Sequence, residues 1–311
     1  MRYGNCLLYL LFSLIPQLVS AQPTVSFQGY KEVNGTKLYC KVIGQGEPIL
    51  VIHGGPSMNH DYFLPHLEAL AANHKLIFYD QRASGASPIP PDSSKDISYR
   101  IMVDDIEALR NAFSISKLNI MAHSWGGKLA INYALQYPEH LGKLVLISPI
   151  TFSHEYDSIQ LATIAAKTTT ADKEARKQLV GSKAFLHGDM DVYKQVLMLM
   201  YKNSFYDTLN LAKLNIILPA DFYHANAVLT RGLMNDHNRY DKNYYPQLKK
   251  IKVPLLILQG TADNLPLAAA QRLQSIVPNA QLIVFDKSGH FPFIEEQEKF
   301  TNVVTTFIDG K

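Results

Sequence analysis

Cysteine is almost missing from this 311-residue sequence, which has two, Cys6 and Cys40. Cys6 falls in an N-terminal apolar segment, so Cys40 stands alone in the rest of the chain and a disulfide framework is excluded. Charge of one sign is equally scarce. Lys and Arg total 30 against 27 for Asp and Glu, a formal charge of +3, and no Lys/Arg-rich run occurs. Nucleic acid is therefore not expected as a partner. The 11 histidines form no His-Glu-x-x-His motif and no Cys/His zinc spacing, so they read mostly as surface or packing residues and no metal is expected. Gly44-Gln45-Gly46 lacks the rest of a dinucleotide fingerprint and reads as a hairpin turn. Hydrophobic residues, at 47%, and charged residues, at 18%, are present in the proportions of a globular chain with a sizeable core.

Long apolar runs are also lacking, apart from the N-terminus. There Arg2 precedes an apolar stretch from Cys6 to Ile15, followed by Val19-Ser20-Ala21, a small-residue pattern of the kind cut by signal peptidase. Residues 1–21 read as a secretory signal, since the apolar stretch is well short of the roughly 20 residues that span a bilayer. The expectation is a secreted or periplasmic protein, cleaved near Ala21, with no stable membrane insertion afterwards.

From Val25 onward, short β-rich runs alternate with helical patterns. Thr36 to Ile43, Ile49 to His53 and Leu76 to Tyr79 read as strands, and Tyr62, Leu64, Leu67 and Leu70 between the last two fall at helical spacing. A helix around Met102 to Phe113, a strand Leu118 to Met121, a helix Lys128 to Tyr137 and a strand Leu144 to Ile147 continue the rhythm. Repeated βα units imply a mostly parallel sheet covered by helices on both faces. Residues 150–246 contain helical patterns and few strand signals, and read as a helical cap inserted into a core formed by 22–149 and 247–311. The alternation then returns with Leu255 to Gln259, a helix Leu267 to Ile276, a strand Leu282 to Phe285 and a last helix Glu295 to Ile308.

The sharpest chemical signal is Ala122-His123-Ser124-Trp125-Gly126-Gly127, where a strand runs straight into a helix with Ser124 at the junction. A nucleophile on such a strained turn needs small neighbours, which Ala122 and Gly126 supply. A serine hydroxyl is a weak nucleophile and needs a base that a third group holds in place. The hydrolase chain order is Ser, then Asp or Glu, then His. Asp263 follows the strand Leu255 to Gln259, and His290 follows the strand Leu282 to Phe285. Asp286, four residues before His290, is a rival acid that reads as a strand-end turn residue. His53-Gly54-Gly55-Pro56 follows an apolar strand and can present the Gly55 N–H to a developing oxyanion, with the Trp125 N–H as the second donor. His53 reads as a residue that ties this loop together.

His53-Gly54-Gly55-Pro56, Tyr79-Asp80-Gln81-Arg82 with Gly85 and Ser87, Ser124-Trp125-Gly126-Gly127 and Gly289-His290 resemble the signature set of α/β-hydrolase-fold proline iminopeptidases and their tricorn-associated aminopeptidase relatives. The resemblance runs from about Val33 to the C-terminus, excluding much of the cap. It implies an α/β-hydrolase fold with an eight-stranded, mostly parallel sheet and an inserted helical cap. It also implies a triad of Ser124, Asp263 and His290, an oxyanion hole of Gly55 and Trp125, no cofactor, and release of an N-terminal residue, often proline, from small peptides or amino-acid amides. The chain departs from that pattern at Ser57, at Ala83-Ser84 and in having Trp125 as its only tryptophan. An aminopeptidase needs an anion to pair with the substrate's free amine, and Glu155, Asp157, Asp191, Asp207, Asp221 and Asp236 are the available cap acids. Two alternatives stay open. One is a carboxylic-ester or lactone hydrolase, and the other is a binding protein on the same fold, against which the intact set of reactive residues argues.

Overall fold

The computed structural model describes residues 23–91, 96–236 and 243–310. The signal segment expected at 1–21 lies outside the described residues. Strands β1 (Val25–Val33), β2 (Thr36–Ile43), β3 (Glu47–Ile52), β4 (His74–Tyr79), β5 (Leu118–His123), β6 (Leu141–Ile147), β7 (Leu255–Gly260) and β8 (Ala280–Phe285) form one sheet. Its order is β1-β2-β4-β3-β5-β6-β7-β8. β1 pairs antiparallel with β2, and β2 antiparallel with β4. All the remaining pairs are parallel.

The sequence of each strand explains its place. β1 at the edge alternates exposed and partly covered residues, whereas β5 and β7 are buried along their whole length. A strand covered on both faces must be apolar on both. In β3, Leu50 and Ile52 pack into one core and Ile49 and Val51 into the other. The first core is covered by α1 (Tyr99–Ala112), α2 (Gly126–Gln136) and, beyond the cap, the helix Leu267–Ile276, through Ile106, Leu129, Tyr133 and Leu273. The second is covered by Phe63, Leu67 and the C-terminal residues Phe293, Phe300 and Val304.

Between β6 and β7 the described residues form helices and no strand: α3 (Asp157–Lys167), α4 (Thr170–Val180), α5 (Lys183–Leu186), α6 (Met190–Lys202), α7 (Phe222–Asn235) and α8 (Tyr245–Leu248). Then come α9 (Leu267–Ile276), α10 (Pro292–Glu295) and α11 (Gln297–Asp309).

Three local expectations are corrected. The helical pattern from Tyr62 to Leu70 forms two short 3-10 turns, His60–Phe63 and Glu68–Ala72, because Pro65 interrupts it and Leu64 before it is extended (φ −95°, ψ 136°). Proline has no N–H to continue a helix and drives its predecessor out of helical geometry. Gly44-Gln45-Gly46 is not a hairpin turn, since β4 lies between β2 and β3 in the sheet. Side chains at Gly44 or Gly46 would collide with backbone carbonyls of residues 71–74, which explains the glycines without a hairpin. The last helix is divided at Glu296 (φ −127°, ψ 53°), whose carboxylate turns back to accept hydrogen bonds from Lys287 N–H and the Ser288 hydroxyl.

Candidate active site

Ser124 joins the end of β5 to the start of α2 and has a left-handed backbone, φ +53°. Such a conformation in a residue with a side chain is strained and has to be held by its surroundings. Its N–H donates to the Ile147 carbonyl at the end of β6 (2.9 Å). A Cβ on Gly126 would stand 2.6 Å from the His53 carbonyl oxygen and 2.8 Å from that of Ile52, so only glycine lets α2 start this close to β3.

The loop after β3 passes next to this turn. Gly55 has φ +125°, and a Cβ there would stand 2.5 Å from Met58 N. The backbone N–H groups of Gly55 and Trp125 have no hydrogen-bond partner among the described residues. His53, fully buried, anchors the loop: its Nδ1–H donates to the Gly54 carbonyl (2.8 Å), and its Nε2 accepts from Gln81 N–H (3.0 Å). Burial lowers its pKa to about 4. The rest of the Tyr79–Arg82 motif braces the same region. Asp80 accepts from the His60 N–H (3.0 Å), the His60 ring (2.8 Å) and the Ala86 N–H (2.9 Å). Arg82 makes a two-pronged pair with Asp105 on α1 (2.6 and 2.7 Å).

Asp263 and His290 come from the loops after β7 and β8. His290 Nδ1 is 3.0 Å from both Asp263 carboxylate oxygens. The carboxylate is held in turn by Leu265 N–H (3.0 Å) and Gln259 Nε2 (2.9 Å), and is buried. Asp286 is exposed, and its backbone carbonyl accepts from the Thr261 hydroxyl. Ser124, Gly55 and His290 line one small cavity of about 10 Å³. That is room for roughly one water molecule. No hydrogen bond joins Ser124 to His290 among the described contacts, and catalytic hydrogen bonds are often long before substrate arrives.

Four residues at this site carry no signal that sequence reasoning used. Tyr62 and His123 link the reactive loops. The Gly54 N–H donates to Tyr62 Oη (2.7 Å), Tyr62 donates to His123 Nδ1 (2.8 Å), and His123 Nε2–H donates to the His290 carbonyl (2.9 Å). Burial and the neighbouring His290 hold the His123 pKa well below the ordinary histidine value, so the ring is neutral, as this pattern of donors requires. Glu295 fastens the cap to the histidine loop by accepting from Gly289 N–H (2.7 Å), Tyr206 N–H (3.0 Å) and Asp207 N–H (3.0 Å). Tyr201, near the end of α6, brings a cap side chain into the cavity. Among the described residues no carboxylate lines that cavity, so none of Glu155, Asp157, Asp191, Asp207, Asp221 and Asp236 reaches it. A larger groove of about 440 Å³, between α3, α4 and α6, touches Asn264 but neither Ser124 nor His290.

A polarised imidazole, a strained serine and two free N–H groups around one cavity are the elements of acyl transfer. Comparison with known proteins bears on the same region. A proline iminopeptidase of Saccharolobus solfataricus is 29% identical over 295 residues, covering 91% of this chain and 92% of that relative. Among solved structures, a proline iminopeptidase of Mycobacterium smegmatis superposes with a TM-score of 0.67 at 21% identity, covering 91% of this chain and 98% of that one. An esterase of Exiguobacterium antarcticum superposes with a TM-score of 0.64 at 20% identity, covering 91% and 100%. The model of the alpha/beta hydrolase fold family matches residues 47–297, from the start of β3 to the start of α11. With that match spanning six of the eight strands, from β3 to β8, the segment between β6 and β7, and the loops that carry Gly55, Ser124, Asp263 and His290, the chain belongs to the α/β-hydrolase family.

Proposed function

We propose that this hydrolase is a serine enzyme acting through an acyl-enzyme, and that it releases N-terminal residues, proline among them, from small peptides or amino-acid amides. The observation that carries the mechanism is the Asp263–His290 pair at 3.0 Å lining the same cavity as the left-handed Ser124. Ser124 attacks the substrate carbonyl. His290 takes its proton and delivers it to the leaving amine, while Asp263 fixes the tautomer of His290 and stabilises the imidazolium. The Gly55 and Trp125 N–H groups receive the oxyanion, and water releases the acyl group. No step calls for a metal or an organic cofactor. The peptide substrate is supported by the proline iminopeptidases among the relatives.

A second reading, an ester or lactone hydrolase, is favoured by the lack of a carboxylate among the described residues that line the cavity, since an ammonium group is best recognised by an anion. The two separate by assay. The protein and its Ser124→Ala variant are given prolyl and other aminoacyl arylamides, matched N-blocked amides and simple aryl esters. Ser124-dependent cleavage of the free-amine amides alone establishes the aminopeptidase, and cleavage of esters alone establishes the second reading. Turnover unchanged in Ser124→Ala overturns the mechanism. We further propose export with cleavage near Ala21, which N-terminal sequencing of the mature protein tests.

A further inference from the structure

Two phenols face the Ser124 cavity, and they differ in one respect. The Tyr62 hydroxyl is used twice inside the protein, whereas the Tyr201 hydroxyl has no hydrogen-bond partner among the described residues. The Tyr201 ring is fixed by an edge-on contact with Phe291, the residue after His290 (centroids 5.6 Å apart, 75° between planes). Burial raises its pKa to about 12, so at neutral pH it is a hydrogen-bond donor and not a phenolate. Tyr201 lines the same cavity as Gly54, Gly55 and Tyr62, the residue that holds the Gly54 N–H. Apolar Met58, Leu214 and Phe291 complete its surroundings.

A hydroxyl that lines a reactive cavity with no partner among the described residues keeps its O–H available to whatever oxygen enters that cavity. A neutral hydroxyl can donate to an oxygen acquiring negative charge, and that bond strengthens as the charge develops. We propose that Tyr201 Oη is a third hydrogen-bond donor to the substrate oxygen, joining the N–H groups of Gly55 and Trp125 as the tetrahedral intermediate forms. The proposal rests on the reading of Ser124 as nucleophile. Because Tyr201 belongs to α6, the donor set is complete only with the cap seated.

The test compares wild type, Ser124→Ala and Tyr201→Phe, which removes one oxygen and keeps the ring. Three quantities are measured: the rate at which a fluorophosphonate ester labels Ser124, kcat and KM on whichever arylamide or aryl ester turns over, and Tm. In Tyr201→Phe the labelling rate and kcat are expected to fall about 10- to 100-fold, with KM within about twofold. Tm is expected to stay the same or rise, since the hydroxyl removed has no hydrogen-bond partner among the described residues. Labelling and kcat within twofold of wild type would overturn the proposal. So would a loss confined to KM, which marks ground-state binding, or a Tm lower by several degrees, which marks a partner within the protein. Wild type that is not labelled at Ser124 removes the nucleophile and this proposal together, whereas equal labelling of wild type and Tyr201→Phe removes this proposal alone.

Discussion

Replacing Tyr62 by Phe removes one oxygen from the same cavity wall as Tyr201→Phe, yet the structure predicts the opposite effect on stability. Tyr62 Oη accepts the Gly54 N–H at 2.7 Å and donates to His123 Nδ1 at 2.8 Å. Tyr62 is 2% exposed and His123 2%, so water does not replace the lost contacts. Each orphaned buried group costs about 1–3 kcal/mol, giving about 2–6 kcal/mol for the pair. For a chain of this length that is a Tm lower by roughly 3–9 °C. Under the proposed mechanism activity falls too, because Gly54 precedes Gly55, the proposed oxyanion donor, and a donor displaced by a fraction of an ångström loses much of its effect; a drop in kcat of about 10-fold or more is expected. Thermal and urea denaturation of wild type, Tyr62→Phe and Tyr201→Phe, side by side with kcat, reads both effects. Tyr62→Phe with a Tm within 2 °C of wild type and full kcat would refute the reasoning, as it would show that the chain of hydrogen bonds from Gly54 to His290 holds nothing in place.

Stability should also depend on pH through the two buried neutral histidines. His53 has a folded-state pKa of about 4 against an unfolded value near 6.5, so between those values the unfolded chain binds more protons. Stability is level above about pH 6.5 and falls below it, by about 2 kcal/mol from His53 alone at pH 5; His123, shifted in the same direction, steepens the fall. Urea midpoints at pH 7 and pH 5 measure this, and equal midpoints would remove the assignment of neutral rings. Glu295→Gln leaves one carbonyl oxygen where two carboxylate oxygens accept from Gly289, Tyr206 and Asp207. Amide exchange at Tyr206 and Asp207 should speed up and kcat should fall, and unchanged exchange would show that the cap is held elsewhere.

The sheet was legible because its buried strands are short apolar runs and its helices keep a 3.6-residue period, two signals that solvent exclusion writes directly into composition. Where proline cut across a periodic pattern, as at Pro65 inside Tyr62 to Leu70, the period alone misread a pair of 3-10 turns as a helix. Gly44 and Gly46 were readable as glycines that the backbone needs, but not as close approaches to another segment, because the colliding carbonyls of residues 71–74 come from sequence about thirty residues away. At the site, Ser124, Gly55, Asp263 and His290 stand at strand ends with small or turn-forming neighbours, and that local chemistry is visible in one dimension. Tyr62, His123, Glu295 and Tyr201 act through partners far along the chain, such as His123 on the carbonyl of His290 and Glu295 on the N–H of Tyr206. Tyrosines and glutamates with such roles look like any others until the fold brings their partners together.

Those long-range partners tie the cap to the base. His290 N–H donates to the Ser204 carbonyl at 2.6 Å, and Gly289 shares Glu295 with Tyr206 and Asp207. On the acid side, the Lys167 ammonium bonds the Ala262 carbonyl and Asn264 Oδ1 on either side of Asp263. The cavity under this cap, at about 10 Å³, is smaller than any acyl group the chemistry would use. Substrate entry therefore has to displace cap residues, and the nearest, Tyr201 and Leu214, flank the very segment whose backbone holds His290. Under the proposed mechanism, opening the cap would also loosen the base, and closing it would restore the Tyr201 donor, because Ser204, which holds His290, lies between Tyr201 and Leu214. Under that same proposal a substrate that seats the cap would align its own catalyst, and water entering an open site would meet a serine without its full set of donors.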